Sequence, residues 1–196
     1  TSYKTNRTKQ QQALLVVLHA LQGYGQSLGL YDKLIRSNKN WLKPWPALVY
    51  YAYPQAYENQ VKQAAQGKGE LINLLYSIAR RESRFKPMSV SRVGAMGLMQ
   101  IMPHTARDYW VKTTEIKSND LFDVQTSLSV AGRYLKTLMQ RYANNISLSA
   151  AAYNAGELVV DKWLESKGWC PNNIVLCSKQ NQSNKNGNLL FILHFF

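Results

Sequence analysis

Cysteine is nearly absent from this 196-residue chain, Cys170 and Cys177 being the only two. They lie close together, so a local disulfide is feasible in an oxidising compartment; two unpaired thiols in a loose tail fit the spacing equally well. The three histidines, His19, His104 and His194, are far apart in sequence and join no cysteine grouping, so neither a metal site nor a cofactor is expected. Long apolar runs are also missing. Ala13 to Leu18 and Leu189 to Leu193 are the longest, well short of the roughly 20 residues a membrane-spanning helix requires. The alternating pattern of a strand is nowhere convincing, and no internal repeat is visible. The chain opens on Thr1 without an initiator Met or a signal-peptide pattern, as a fragment or a mature form would.

Acidic residues are scarce: 11 Asp and Glu stand against 24 Lys and Arg, a formal net charge of +13. Such an excess favours polyanionic partners, whether nucleic acid, an anionic membrane surface or an acidic cell-wall polymer. The basic residues are scattered (Lys33, Arg36, Lys39, Lys62, Arg80, Arg133, Lys162) rather than gathered into one arm, so no nucleic-acid partner is expected. Hydrophobic residues at 45% and charged residues at 18% are those of a globular protein able to bury one good core.

What is present is helical periodicity. Ala13 to Leu21 is apolar on all sides and reads as a buried helix ended near Gly23. A short helix follows over Leu30 to Arg36. Pro44 and Pro46, in Trp41-Leu-Lys-Pro-Trp-Pro46, forbid a continuous helix there and mark a boundary. Further helices are expected from Pro54 to Ala65, from Glu70 to about Arg81 and from Thr105 to Trp110. Asp123 is placed to cap a helix carrying Val124, Leu128, Ala131, Leu135, Leu138 and Tyr142. Ser147 is the expected cap of a small-residue helix through Ala155, and a last helix, Glu157 to Lys167, stops at Gly168. Residues 86 to 97 and 171 to 188 read as loops.

One residue stands out against this pattern. Leu71, Leu74, Leu75 and Ile78 share one helix face, and at about 100° per residue Glu82 lies only about 20° from Leu71 around the axis. A carboxyl projected inward from an apolar face is costly unless it is satisfied or used. Burial disfavours its charged form, so Glu82 is expected to stay protonated often enough to act as a general acid. On periodicity alone the other reading stands beside this one: Glu82 turns out of the helix end, or pairs with Arg81 or Arg84.

Three sequence blocks bear on that choice. Ala79-Arg-Arg-Glu-Ser-Arg-Phe85, then Val93-Gly-Ala-Met-Gly-Leu-Met-Gln-Ile-Met-Pro103, then Ala152-Tyr-Asn-Ala-Gly156 occur in this order. Together they resemble the soluble lytic transglycosylase family, glycoside hydrolase family 23, over roughly residues 50–167. The resemblance implies an all-α, lysozyme-like catalytic domain over residues 50–168. Residues 1–49 would be the end of an α-superhelical domain, and residues 169–196 a divergent or truncated tail. It implies Glu82 as the acid/base residue. It also implies a substrate cleft lined by Ser83, Ser91, Gly97, Met99, Gln100, Met102, Tyr153 and Asn154, with Gly94 and Gly97 letting the backbone turn closely over bound sugar. The implied partner is the glycan strand of peptidoglycan, the implied setting the periplasm or cell envelope, and the expected state a monomer.

Most glycosidases use two carboxyl groups. Between Ser83 and Arg107 there is no Asp or Glu, and Asp108 falls on the short helix beyond. A single-carboxyl site fits the transglycosylase reaction that the resemblance implies, in which one glutamate acts as acid and then as base and leaves a 1,6-anhydro end. Two alternatives stay open on sequence: a muramidase-type hydrolase, and a peptidoglycan-binding protein that keeps the fold with impaired catalysis. The second arises because the acidic, aromatic and Pro-rich segment that follows the Ala-Tyr-Asn-Ala-Gly block in the family is missing. That segment contributes a further tyrosine and closes part of the cleft.

Overall fold

The computed structural model describes residues 2–37, 46–111 and 115–169. The boundary segment at Trp41 to Trp45, both cysteines, His194 and the tail lie outside them. The described residues form eight α-helices and no named strand. They run α1 (Ser2–Ala20), α2 (Tyr24–Ser37), α3 (Glu58–Ala64), α4 (Gly69–Glu82), α5 (Pro103–Tyr109), α6 (Val124–Arg141), α7 (Ile146–Ala155) and α8 (Glu157–Ser166), with 3-10 turns at Pro46–Ala52 and Ser118–Phe122.

The central helix is α6. It packs against α3, α4, α5 and α7, and α7 packs in turn on α8. Its start is fixed where the sequence places it, for Asp123 Oδ2 accepts from the Thr126 amide at 2.8 Å. Leu128, Leu135 and Leu138, at intervals of seven and three, are buried in the main core with Leu71, Leu74, Leu75 and Ile78 of α4. The predicted apolar stripe of α4 is thus the stripe that anchors it, and Glu82 is the residue at which the helix stops.

Several expectations fail for identifiable reasons. The apolar run in α1 is not enclosed: Leu15 is fully buried, but Leu14, Val16 and Val17 are about half exposed and Leu21 is 75% exposed. A helix apolar all round buries only the faces its neighbours cover, and among the described residues α1 packs chiefly against α2 and the 3-10 turn Pro46–Ala52. Helix α2 is twice the expected length, beginning at Tyr24. Helix α3 starts late because Tyr57 stands in the left-handed region at φ 56°, which stops a helix from running through from Pro54. The cap of α7 is Asn145 and not Ser147; the Asn145 side chain accepts from the Leu148 amide at 3.0 Å, while Ser147 lies exposed in the first turn.

The loop of residues 86–101 has a backbone architecture of its own. Met96 and Ile101 exchange both of their amide hydrogen bonds at 3.0 Å, the Ser91 amide donates to Ala95 O at 2.8 Å, and the Gly97 amide donates to Ser89 O at 2.9 Å. These bonds fold the loop into a small knot beside the end of α4. A second, smaller apolar cluster of Leu15, Tyr31, Leu34 and Ala52 ties α1, α2 and the 3-10 turn together.

Candidate active site

Helix α4 delivers Glu82 at its last turn, and the backbone then reverses sharply. Ser83 caps the helix with φ −118°, and Arg84 and Phe85 follow with φ of 55° and 60°. Two successive non-glycine residues in the left-handed region are uncommon and persist only where surroundings hold them. Phe85 is buried in the main core, which supplies part of that hold.

Glu82 itself is half-buried. It is less enclosed than an inward-facing position on the stripe suggests, because it terminates the helix rather than sitting within it. Its partner comes from across the fold: Asn154 Nδ2 donates to Glu82 Oε1 at 3.3 Å. The neighbouring Tyr153 on α7 is half-buried as a residue, with its hydroxyl at the enclosed end, where it donates to Met99 O at 2.8 Å. Burial pushes that hydroxyl well above the ordinary tyrosine range, and the negative charge of Glu82 adds to the shift. Tyr153 is therefore a neutral phenol that pins the 86–101 loop to α7 beside the carboxyl.

Gln100, Met102, Tyr153 and Asn154 come together as walls of one groove of about 560 Å³ between α5 and the α7–α8 junction. Glu82 adjoins these walls through Asn154 and does not itself line the groove. The structure gives the other expected residues roles within the fold. Met99 is fully buried, so its side chain belongs to the core and only its carbonyl takes part in the site. Ser83 is buried, and its hydroxyl donates to Ala79 O and accepts from the Lys86 amide, both at 3.2 Å, which makes it a fastener of the helix end. Ser91 is half-buried and its Oγ accepts from the Ala95 amide at 2.9 Å within the loop.

Gly97 is required by packing. At φ 80°, a β-carbon there would fall 1.9 Å from the Leu121 carbonyl oxygen, so the close approach is to the protein's own backbone. Gln100 keeps its place in the groove wall, but its Nε2 donates to Ser89 O at 3.0 Å and to Gly97 O at 2.9 Å. Both amide hydrogens are thereby occupied, so what its side chain can offer a ligand is the Oε1 acceptor.

A family model described as the Transglycosylase SLT domain matches residues 59–175, more than half of the chain. The chain belongs to that family. The soluble lytic murein transglycosylase of Escherichia coli (strain K12) is 40% identical over 116 residues, covering 57% of this chain and 18% of that protein. Peptidoglycan transglycosylase gp16 of Escherichia phage T7 is 30% identical over 104 residues, 53% of this chain and 8% of its own length. Among solved structures, the 70 kDa soluble lytic transglycosylase of Escherichia coli matches with a TM-score of 0.69 at 30% identity, over 81% of this chain and 25% of that one. The lytic transglycosylase Slt of Pseudomonas aeruginosa, solved as an inactive glutamate-to-glutamine mutant, matches with a TM-score of 0.62 at 25% identity, over 77% and 24%. The chain thus spans a quarter or less of the length of these relatives.

This SLT domain has groove-lining residues that the sequence did not place there. His104, Asp108, Tyr109, Tyr134 and Glu157 all line the groove. Three of its tyrosine rings form a row: Tyr109 lies 4.8 Å from Tyr134, and Tyr134 lies 5.3 Å from Tyr153, centroid to centroid. The Tyr134 hydroxyl donates to Glu157 Oε2 at 2.8 Å. Burial and that carboxylate together raise the phenol far above its usual range. Glu157 directly follows the Ala-Tyr-Asn-Ala-Gly block, and its position there was the available clue. The sequence count of carboxyls between Ser83 and Arg107 remains correct, yet the groove receives Asp108 and Glu157 from beyond that interval.

Proposed function

We propose that this chain is the catalytic domain of a peptidoglycan lytic transglycosylase, with residues 50–168 as the catalytic unit and Glu82 as its one acid/base group. The observation that carries this reading is the placement of Glu82 at the end of α4, bonded by Asn154 and adjoining the groove. Relatives bearing the name of this activity, and the inactivity of a glutamate-to-glutamine mutant in a structural neighbour, support it.

The chemistry runs as follows. The protonated Glu82 gives its proton to the oxygen joining C1 of N-acetylmuramic acid to C4 of N-acetylglucosamine, and the C1–O bond breaks with its electron pair on the departing hydroxyl. The carbonyl oxygen of the substrate's N-acetyl group closes onto C1 and carries the positive charge as an oxazolinium. The Glu82 carboxylate then takes the proton of the muramic acid C6 hydroxyl. The C6 oxygen bonds to C1, the oxazolinium reopens, and a 1,6-anhydro end forms without consuming water. Asn154, donating to Glu82 Oε1, fixes which carboxyl oxygen is directed at the substrate. Such a reaction belongs in the periplasm or cell envelope, where glycan strands are found.

A second reading has one observation in its favour. Asp108 and Glu157 give the groove two further carboxyl groups, and a muramidase-type hydrolase needs a second one to hold or activate water. Mass spectrometry of fragments released from purified sacculi separates the two. Anhydro ends support the transglycosylase, reducing ends support the hydrolase, and an active Glu82→Gln variant removes both.

A further inference from the structure

The N-terminal helices grip the segment that carries Glu82. Asp32 of α2 bonds the guanidinium of Arg84, and its other oxygen lies 4.0 Å from Arg80 Nη2. Arg80 Nε also donates to Ala52 O at 2.8 Å, and its guanidinium lies 5.0 Å from the centre of the Tyr53 ring. Helix α2 approaches so closely at Gly25 that a β-carbon there would stand 3.0 Å from the Arg84 carbonyl oxygen and 2.6 Å from Lys86 Cγ. Both residues flanking Glu82 at a distance of two are therefore held from the N-terminal side, and one of them, Arg84, sits in the left-handed turn.

The geometry points to Asp32 as a positioning residue for Glu82, one that keeps the Arg84 guanidinium away from the reacting carboxyl. This rests on the reading of Glu82 as the proton donor. The physical reason lies in competition. Arg84 is two residues from Glu82, on a long side chain, and an arginine released there has a carboxylate within reach. Such a pair favours the charged form of Glu82 and withdraws the proton the first step needs. The charged neighbours of Glu82 in sequence are Arg80, Arg81 and Arg84, and α7 brings to it the Asn154 amide and Tyr153, whose hydroxyl is committed to Met99 O. Among these, Arg80 and Arg84 are the two engaged by Asp32.

The test is the pH–rate profile of anhydro-muropeptide release from soluble glycan strands, with Tm measured alongside. Asp32→Asn lowers turnover about tenfold at neutral pH and moves the descending limb about one unit toward acid, with KM little changed. Adding Arg84→Gln to Asp32→Asn returns the limb to its wild-type position, which a purely structural role for Asp32 would not produce. Lys33→Ala, on the exposed side of α2, leaves the profile unchanged. If Asp32→Asn does not fold, Arg84→Gln alone decides, because Asp32 still has Arg80: turnover within about threefold of wild type supports the inference, and a loss beyond tenfold overturns it. An active wild type with an unmoved Asp32→Asn profile, or a double variant no better than the single, overturns this inference alone. A wild type releasing no anhydro product overturns the function reading, and this one with it.

Discussion

Asn154 and Glu82 are 72 residues apart in sequence and meet through a single hydrogen bond of 3.3 Å from the amide nitrogen to Oε1. That bond is the direct polar link between α4 and the α7 wall at the carboxyl. Asn154 is exposed, so removing it opens no cavity.

Asn154→Ala is therefore expected to leave Tm within about 1 °C and to lower kcat about two- to tenfold, the range for losing one hydrogen bond of about 0.5–1.5 kcal/mol. Steady-state release of muropeptides at saturating substrate measures it. An unchanged kcat would show that Asn154 does not orient the carboxyl.

Gly97→Ala separates two roles that the sequence could not. A glycine serving bound sugar would raise KM when substituted and leave the fold intact. A β-carbon 1.9 Å from the Leu121 carbonyl oxygen at φ 80° instead forces the 86–101 knot away from the 3-10 turn Ser118–Phe122. The expected result is a loss of stability on the order of 3 kcal/mol in urea unfolding, and an unaltered midpoint contradicts the packing role.

Alkaline pH gives a third outcome. Tyr31, Tyr57, Tyr76, Tyr109, Tyr134, Tyr142 and Tyr153 all have hydroxyls raised above their usual value, chiefly by burial, Tyr76 to about 12. A phenol whose folded value exceeds its unfolded value of about 10 stabilises the fold fully below pH 10, and that contribution is lost as pH rises through the folded value. Unfolding should therefore set in between about pH 10 and 12, with phenolate absorbance at 295 nm and the loss of helical circular dichroism rising together. Seven tyrosines titrating near pH 10 in an intact fold would contradict their burial.

The fold was legible where local chemistry and tertiary packing agree. Leu71, Leu74, Leu75 and Ile78 announce α4 by spacing, and Asp123 announces the start of α6 by capping. The length of α2 was hidden because Gly25 and Gly29 weaken a helix on propensity; Gly25 is tolerated where it lets Arg84 and Lys86 come close. In the site, motif and spacing singled out Glu82, Tyr153 and Asn154, and the structure brings the Asn154 amide to Glu82 and the Tyr153 hydroxyl to Met99 O. That the Met99 and Ser83 side chains are buried was not legible, because adjacency in a motif does not say which way a side chain points. Glu157 and Tyr134 could not be paired in advance, since only the packing of α8 on α7 and of α7 on α6 brings them together.

Glu157 provides the last and most discriminating outcome. Its carboxylate accepts the Tyr134 hydroxyl at 2.8 Å, and Tyr134 backs the Tyr153 ring that lines the groove. With Glu82 as the one acid/base group, Glu157 holds a wall in place and takes no proton from substrate. Glu157→Gln keeps an acceptor for the phenol but removes its charge, so the bond weakens without being left unmade. A stability loss of about 1 kcal/mol is expected, together with turnover within about threefold of wild type and an undiminished share of anhydro ends. If Glu157 were instead the second carboxyl of a hydrolase, the same substitution would cost about a thousandfold in rate, with the same small loss of stability because the bond to Tyr134 is weakened either way. The stability change is thus common to the two mechanisms, and the rate and the share of anhydro ends released by this one variant decide between them.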